Sequence, residues 1–358
     1  MGSTRFLLAL SVVIMHSYGF LLVGGQLAVQ LFYVTSGYLI SLILITNTTY
    51  KNTKRFYLNR FLRLFPIYWL IAVISLIFKI ATHYQGTGNF FQVYDEVGLI
   101  GSVFLIISNL ILIGQDWVMF TGVENGFFGL SSSFNQSEVL VYEGLLVPQA
   151  WTLGVEISFY LIAPFILRHK RRWLTLLFIS LILRAYLIYI GIGQNDPFSY
   201  RFFPTELALF LIGTFSHQFF LPMYNKHRFL QNTKLVNGIS FFLMTFIIFF
   251  SFISLARDLL SIIMIIVFAL SLPFLASFQK NNKFDQWLGN LSYPIYICHM
   301  LIIGISSKIA NVFDFYNTIS YYSMIIFLTL LFAYWLEIYV SQRVDKIRYI
   351  VKQGNSIN

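Results

Sequence analysis

The chain has 358 residues, of which 58% are hydrophobic, 19% aromatic and only 11% charged. Apolar runs of about 20 residues recur along it, as in helices that cross a membrane, and the alternating pattern of a membrane β-barrel is missing. The formal net charge of +10 does not point to nucleic acid, because the basic residues are dispersed at the ends of the apolar runs.

The apolar runs define the fold class. We predict an all-α polytopic membrane protein, because the runs have the length of a transmembrane helix and few charges interrupt them. A single cysteine, Cys298, excludes an internal disulfide and a cysteine-based metal site. We therefore expect no bound metal. From the dispersed basic residues and the apolar runs, we expect a surrounding lipid bilayer and no nucleic acid partner.

Ten apolar runs are candidate transmembrane helices. They are residues 6–23, 27–46, 64–82, 148–167, 173–192, 204–221, 235–254, 259–278, 288–307 and 319–340. With the N-terminus in the cytoplasm, most Lys and Arg residues fall on the cytoplasmic side, as the positive-inside rule requires. Both termini are therefore predicted to be cytoplasmic.

An eleventh apolar run, residues 97–114, requires a different interpretation. If it crossed the membrane, every later loop would invert and the basic sequence at 168–172 would face outward, against the positive-inside rule. We predict a re-entrant or interfacial helix on the outer side. The following residues 121–137, rich in Gly, Ser and Asn, are predicted to form a mobile surface loop.

The spans are predicted to form one membrane domain at residues 1–345, followed by a cytoplasmic tail at 346–358, with no separate soluble domain. A cleaved signal peptide is the alternative interpretation of residues 1–25. The next apolar run follows at once, which favours a helical hairpin.

Arg5 and His16 frame the first apolar run. At about 100° per residue, the two side chains lie within roughly 20° of the same helix face and about 16 Å apart along the axis. An ionisable side chain at membrane depth is costly, so an intramembrane His predicts a functional site. The alternative is a His that is hydrogen-bonded to a neighbouring helix.

Three further ionisable residues are predicted at the depth of His16. Counted at about 1.5 Å per residue from the inner ends of their spans, Glu156, Arg184 and His299 lie about 16–18 Å into the membrane. One arrangement is a structural Glu156–Arg184 pair, with His299 bonded to a backbone carbonyl. In the other, Glu156 lies near His16 and raises its basicity, as in a general-base dyad.

Arg60 and Arg63 lie three residues apart at the predicted cytoplasmic mouth, so they share a helix face. Their forked guanidinium groups suit phosphate, although most such runs anchor a helix or contact anionic lipid. Ser36 and Gly37, on the second span, also have two interpretations. They allow close helix packing, or they expose backbone groups to a substrate arm.

These residues fall in motifs that resemble those of membrane acyltransferase family 3, a bacterial group that acylates extracytoplasmic sugars and is related to fucose-4-O-acetylase and O-antigen acetylase proteins. Arg5 and His16 match the family's Arg-x10-His signature. Further stretches are similar to family motifs in the same order: LFYVTSGYLI at 31–40, RFLRLFP at 60–66, WTLGVEISFYLIAP at 151–164 and LGNLSYPIYICH at 288–299. Ser3-Thr4, where the family often has Gly-Leu, and the missing proline after Glu337 depart from the family pattern and leave the acceptor open.

The resemblance implies an acyl-CoA donor, commonly acetyl-CoA, which is a co-substrate and not a permanently bound cofactor. Arg60 and Arg63, together with Arg5, would bind it from the cytoplasm. His16 would act as general base on a hydroxyl of a surface polysaccharide, capsule, O-antigen or glycolipid, and Glu156 would orient His16. The protein would then lie in the bacterial cytoplasmic membrane.

Further residues are predicted to line the pore or contact substrate: Ser36, Arg184, Tyr293 and His299. The last three would polarise the thioester carbonyl or meet the developing oxyanion. A glycan-precursor transporter or flippase is the main alternative, although the chain has no internal duplication of the kind common in transporters. A lipid-directed acyltransferase lacks support because its His-x4-Asp signature is missing. A receptor role would leave the ionisable residues at the depth of His16 unexplained.

Overall fold

The computed structural model describes residues 1–83 and 90–353. Within these ranges the α-helices, in chain order, are α1 Gly2–Tyr18, α2 Gly25–Thr46, α3 Thr53–His83, α4 Phe90–Glu96, α5 Gly98–Ile111, α6 Trp151–Ile166, α7 Lys170–Tyr189, α8 Phe203–Phe215, α9 Leu221–Lys226, α10 Thr233–Phe249, α11 Arg257–Asn281, α12 Lys283–Val312, α13 Ile319–Leu336 and α14 Gln342–Gln353. The strands β1 Thr121–Glu124 and β2 Phe127–Leu130 form an antiparallel hairpin. Short helical turns join or extend these elements: Thr48–Lys51, Trp117–Phe120, Phe134–Gln136, Val141–Gly144, Pro148–Ala150, Ile192–Gln194, Ser216–Phe220, Arg228–Gln231, Phe250–Phe252 and Glu337–Ser341.

In the described part of the chain, nine helical stretches are long and apolar enough to cross a membrane. They are Gly25–Thr46, Thr53–Thr82, Pro148–Ile166, Lys170–Tyr189, Phe203–Lys226, Thr233–Phe252, Arg257–Asn281, Lys283–Val312 and Ile319–Gln353. Each overlaps one of the predicted spans from 27–46 onward, so the prediction of an all-α polytopic membrane protein is confirmed. A helix suits such runs because it satisfies its own backbone groups where no water can.

The predicted first span, 6–23, is shifted in the structure, because α1 ends at Tyr18. Gly19 adopts the left-handed conformation, φ 73°, and donates its backbone N–H to the carbonyl of Met15 at 3.1 Å. Glycine reaches this conformation without the strain that a Cβ causes, so the helix stops there. His16 therefore lies in the last turn of α1 and not in the middle of a span.

α1 begins against α12. The carboxylate of Asp285 accepts hydrogen bonds from the backbone N–H groups of Gly2 at 2.8 Å and Ser3 at 2.7 Å. A helix N-terminus leaves such groups without partners inside the helix, and a negative charge is favourable there. This contact fixes α1 to the helix that carries Tyr293 and His299.

α5 is the counterpart of the predicted helix at 97–114. It has 14 residues and therefore a length of about 21 Å, less than the hydrocarbon thickness of a bilayer. The structure corrects the prediction of a loop at 121–137 in its first part, because residues 121–130 form the paired strands β1 and β2, whereas residues 131–137 lie outside the strands. Asn125 and Gly126 form the turn with φ 52° and 77°, and a two-residue hairpin turn favours positive φ at both positions.

α2 and α8 cross at two glycines. A Cβ added to Gly37 would lie 1.8 Å from the carbonyl oxygen of Phe210, and one added to Gly213 would lie 1.9 Å from that of Val34. No side chain fits at either position, so the backbones approach as closely as small residues allow. Gly37 therefore serves close packing, the first of its two interpretations.

α14 continues the last membrane-spanning stretch and packs on α3. The side-chain amide of Asn59 donates to the backbone carbonyl of Arg348 at 3.5 Å. A tail that starts at residue 346 stays a prediction, and its residues 354–358 lie outside the described residues. The helix nevertheless brings basic side chains to the end of the bundle where α3 begins.

Candidate active site

Adjoining cavities open where α3 and α14 meet. The mouth cavity, of about 310 Å³, is lined by Arg60, Arg63, Arg348 and Lys352 among others. The central cavity, of about 80 Å³, includes Glu156 and Tyr293 in its lining. A side cavity of about 80 Å³ lies between α3, α12 and α14. Arg63 lines all three cavities, so they adjoin one another at this residue.

Arg60 and Arg63 lie together in the mouth cavity, as their spacing predicts. The guanidinium group of Arg60 lies 5.8 Å from the ring centroid of Tyr160 and donates to the side-chain oxygen of Asn59. Its Nε is buried and, among the described residues, has no hydrogen-bond partner. A buried donor without a partner is costly, and an anionic ligand would satisfy it.

The central cavity holds a carboxylate with two hydroxyl partners. Ser36 and Tyr160 both donate to the same oxygen of Glu156. Arg5 and Arg63 line this cavity too, so the structure brings together residues from five helices, α1, α2, α3, α6 and α12, that the sequence placed at separate motifs. Tyr293 also lines it, with its hydroxyl donating to the carbonyl of Leu64 at 2.6 Å.

Aromatic side chains close the far end of the central cavity. The ring of Tyr296 lies 6.2 Å from that of Phe32 and 5.8 Å from the imidazole of His299, measured between centroids. Its hydroxyl accepts a hydrogen bond from Thr152 at 2.9 Å and donates to the carbonyl of Gln149 at 3.0 Å. Tyr296 thus lines the central cavity and also contacts His299, which is outside the lining of that cavity.

His16 and His299 form a pair beyond this aromatic layer. Their ring centroids are 5.4 Å apart, and His299 is fully buried whereas His16 is exposed. Nδ1 of His299 lies 2.7 Å from the carbonyl oxygen of Tyr296, which can only accept, so this nitrogen carries the hydrogen. In the neutral ring the buried Nε2 is then an acceptor, without a partner among the described residues. The predicted bond between His299 and a backbone carbonyl is confirmed.

Neither predicted partner of Glu156 is found. Its hydrogen bonds go to Ser36 and Tyr160, and not to His16. Arg184 instead forms an ion pair with Glu206, with 2.7 Å between Nη1 and Oε1. The predicted Glu156–Arg184 pair is therefore wrong, and so is direct orientation of His16 by Glu156.

Arg184 belongs to a separate buried cluster. Glu206, on α8, is fully buried and also accepts a hydrogen bond from Gln30 at 3.4 Å. The second terminal nitrogen of Arg184 donates to the carbonyl of Ser199 at 3.2 Å. Arg184 is outside the lining of the three cavities described above. Sequence reasoning missed Glu206, although it follows Phe-Pro-Thr at the start of an apolar run.

Arg201, in the connection between α7 and α8, is a second residue that sequence reasoning missed. Its guanidinium group makes two hydrogen bonds to Asp196, at 2.6 and 2.9 Å. It lies 4.1 Å from the ring centroid of Trp151, at the start of α6. The loop before α8 is thus fastened to α6, the helix that carries Glu156.

Asp116, on the loop after α5, is a buried carboxylate that packs on α6. It is 2% exposed, and its Oδ1 has no hydrogen-bond partner in the described part of the chain. Gly154 makes room for it, since a Cβ there would lie 2.6 Å from Oδ1. Burial raises the pKa of Asp116 to about 7, although backbone N–H groups act in the opposite direction.

We expect Asp116 to make the stability depend on pH. The folded protein keeps this carboxyl neutral up to about pH 7, whereas the unfolded chain ionises it near pH 4, so the free energy of unfolding falls as the pH rises between these values. Asp116→Asn should remove this part of the dependence. The measurement is the melting temperature in detergent across that range, and an unchanged slope in the variant would contradict the assignment.

The fold and the cavities define a class: a multi-pass helical membrane protein with cavities inside the bundle that are basic at the end where α3 and α14 meet. The chain belongs to acyltransferase family 3, whose model, described as "Acyltransferase domain", matches residues 3–338.

The chain is similar to several curated proteins. It is 27% identical over 207 residues to an uncharacterized protein of Aquifex aeolicus, and this alignment covers 57% of this chain and 90% of that protein. It is 24% identical over 316 residues to peptidoglycan O-acetyltransferase OatA of Listeria monocytogenes, covering 81% of this chain and 46% of OatA. It is 26% identical to nodulation protein 10 of Rhizobium leguminosarum over 187 residues, covering 47% of this chain and 44% of that protein. The chain thus spans less than half the length of these last two relatives, and no solved structure matches it.

Proposed function

We propose that the protein transfers an acyl group, most simply acetyl, from cytoplasmic acyl-CoA to a hydroxyl of an extracytoplasmic glycan or glycolipid. One observation carries the proposal: Ser36 and Arg63 line both the mouth cavity and the central cavity. A linear donor could therefore rest its charged end at the mouth and extend its thioester arm inward. The similarity to a peptidoglycan O-acetyltransferase supports a cell-surface polysaccharide as the acceptor.

The donor end of the proposal depends on charge. Arg60 and Arg63 would hold phosphate groups, and Arg5 lies deeper, in the central and side cavities. Guanidinium groups bind phosphate through paired N–H donors, and such a contact would satisfy the buried nitrogen of Arg60. This end would face the cytoplasm of a bacterium, because the positive-inside rule places both termini there.

The chemical step would take place at the histidine pair. His16 would remove the proton of the acceptor hydroxyl as its oxygen attacks the thioester carbonyl. The carbon–sulfur bond then breaks, and the CoA thiolate takes up a proton as the ester is released. His299 would support this step, because its Nε2, which has no partner among the described residues, could accept a hydrogen bond from the neighbouring imidazole and fix the tautomer of His16. Transient acylation of His16 is the alternative route to the same product.

The thioester must pass the aromatic layer to reach His16. Tyr296 and Phe32 lie at the end of the central cavity, so we infer that they move apart when donor and acceptor are both bound. Glu156 would then keep Ser36 and Tyr160 in place along the donor arm. Tyr293, which lines the same cavity, would meet the carbonyl oxygen as charge develops on it.

The donor site is tested by the double variant Arg60→Ala, Arg63→Ala. Each charge-assisted hydrogen bond contributes about 1.5–3 kcal/mol, so we expect the affinity for acetyl-CoA to fall by a factor of about 10 to 100 or more. The measurement is acetyl-CoA binding by purified protein, together with glycan-dependent release of free CoA from proteoliposomes.

A matched control is Lys54→Ala, Arg55→Ala, which removes the same charge from the first turn of α3, outside the lining of the three cavities. Unchanged affinity in the Arg60, Arg63 variant would return that pair to a role in membrane anchoring. Glycan movement by the wild type without CoA release would overturn the acyltransferase proposal in favour of a transporter.

A further inference from the structure

We propose that α14 forms part of the donor site, with Arg348 and Lys352 binding the 3′-phosphate of coenzyme A while Arg60 and Arg63 bind its diphosphate. The inference rests on the proposed function and goes beyond it. α14 lies outside residues 3–338, which match the family model, so membership of the family assigns nothing to it.

The geometry places α14 at the outer rim of the mouth cavity. Arg348 and Lys352 are four residues apart and therefore share one helix face. Both line the mouth cavity opposite the arginines of α3, and Arg348 also lines the side cavity. The bond between Asn59 and the Arg348 carbonyl holds the two helices together at this level.

The side chains at the rim need an anion. Nε of Arg348 is buried and has no hydrogen-bond partner among the described residues, as is also true of Arg60. Asp345 accepts a hydrogen bond from Arg348, but this carboxylate is 50% exposed and lies one turn away on the same helix. An ion pair to a half-exposed carboxylate contributes little to stability, so a phosphate can replace it at low cost.

The charges of the mouth cavity fit a nucleotide better than a lipid headgroup. Its lining contains four basic side chains and, among the described residues, one carboxylate, Asp345. Coenzyme A carries separate phosphate groups on one small molecule, at its diphosphate and at the ribose. Because the thioester arm would run inward past Ser36, the nucleotide would lie outermost, beside α14.

The test compares CoA with dephospho-CoA, which lacks the 3′-phosphate, in binding to the purified full-length protein. The wild type should bind CoA more tightly. In Arg348→Gln, Lys352→Gln, the affinity for CoA should fall about 10- to 100-fold, whereas the affinity for dephospho-CoA should change little. Asp345→Asn, which frees Arg348, should retain or increase the affinity for CoA.

The control variant is Arg343→Gln, Lys346→Gln, which removes two exposed charges from the same helix, outside the lining of the three cavities. An equal loss for both ligands in the Arg348, Lys352 variant would indicate a structural role and overturn the inference. Equal binding of the two ligands by the wild type would also overturn it, and leaves the acyltransferase proposal intact. A wild type that binds neither ligand contradicts the proposed function itself.

Discussion

His16→Ala is expected to abolish acyl transfer while the protein still folds in the membrane. General-base catalysis contributes about 10²- to 10⁴-fold to a rate, so turnover in the variant should fall by at least that factor. The side chain is exposed in the last turn of α1, so its removal leaves no buried cavity and no broken packing. The measurement is glycan-dependent CoA release, with acetyl-CoA binding and melting temperature measured on the same preparation.

Two further variants give this experiment its controls. His227→Ala removes another exposed imidazole, from the connection between α9 and α10, and should leave turnover unchanged. His299→Gln should lower turnover and shift its pH profile, because the variant no longer presents a ring acceptor to His16. Undiminished turnover in His16→Ala would remove this residue from the chemical step.

The sequence was sufficient to predict the membrane-spanning helices but not where the first one ends. An apolar run of about 20 residues predicts a span because only a helix satisfies its backbone there. Leu21 and Leu22 are as apolar as residues inside α1, so hydropathy extends the span beyond its real end at Tyr18. The signal for that end was Gly19. The Asn125-Gly126 pair likewise predicts the turn of a β-hairpin. The prediction missed it because residues 121–137, rich in Gly, Ser and Asn, have the composition of a loop.

The site was predictable in part for a related reason. Arg5, Ser36, Arg63, Glu156 and Tyr293 do line one cavity, as the order of their motifs suggests. Counting residues along a helix gives the depth of a side chain, but not the neighbouring helix that it faces.

Arg184 illustrates this limit. It was placed at the depth of Glu156, yet α7 packs against α8, so its partner is Glu206. Glu206 received no role in the sequence prediction, because membrane depth was counted only for His16, Glu156, Arg184 and His299. The ion-pair partner of Arg184 depends on how α2, α7 and α8 pack, and no short sequence pattern encodes that packing.

The ion pair of Arg184 and Glu206 leads to the second large effect that we expect. Arg184→Met should destabilise the protein by about 3–5 kcal/mol, because it leaves the fully buried carboxylate of Glu206 with only the weak bond from Gln30 among the described residues. Adding Glu206→Gln should restore much of the loss, since a neutral amide needs no counter-charge. The measurement is the melting temperature in detergent.

Arg257→Met is the matched control, because that guanidinium group donates only to the exposed backbone carbonyl of Ser251 among the described residues. A role of Arg184 in contacting substrate would give the opposite result: the single variant would keep its melting temperature and lose acyl transfer, and Glu206→Gln would restore nothing. The double variant therefore separates the two roles. Removing the cation beside a buried carboxylate destabilises the protein whatever it catalyses, and neutralising the carboxylate reverses the effect. Neutralising the carboxylate does not restore a lost contact with substrate.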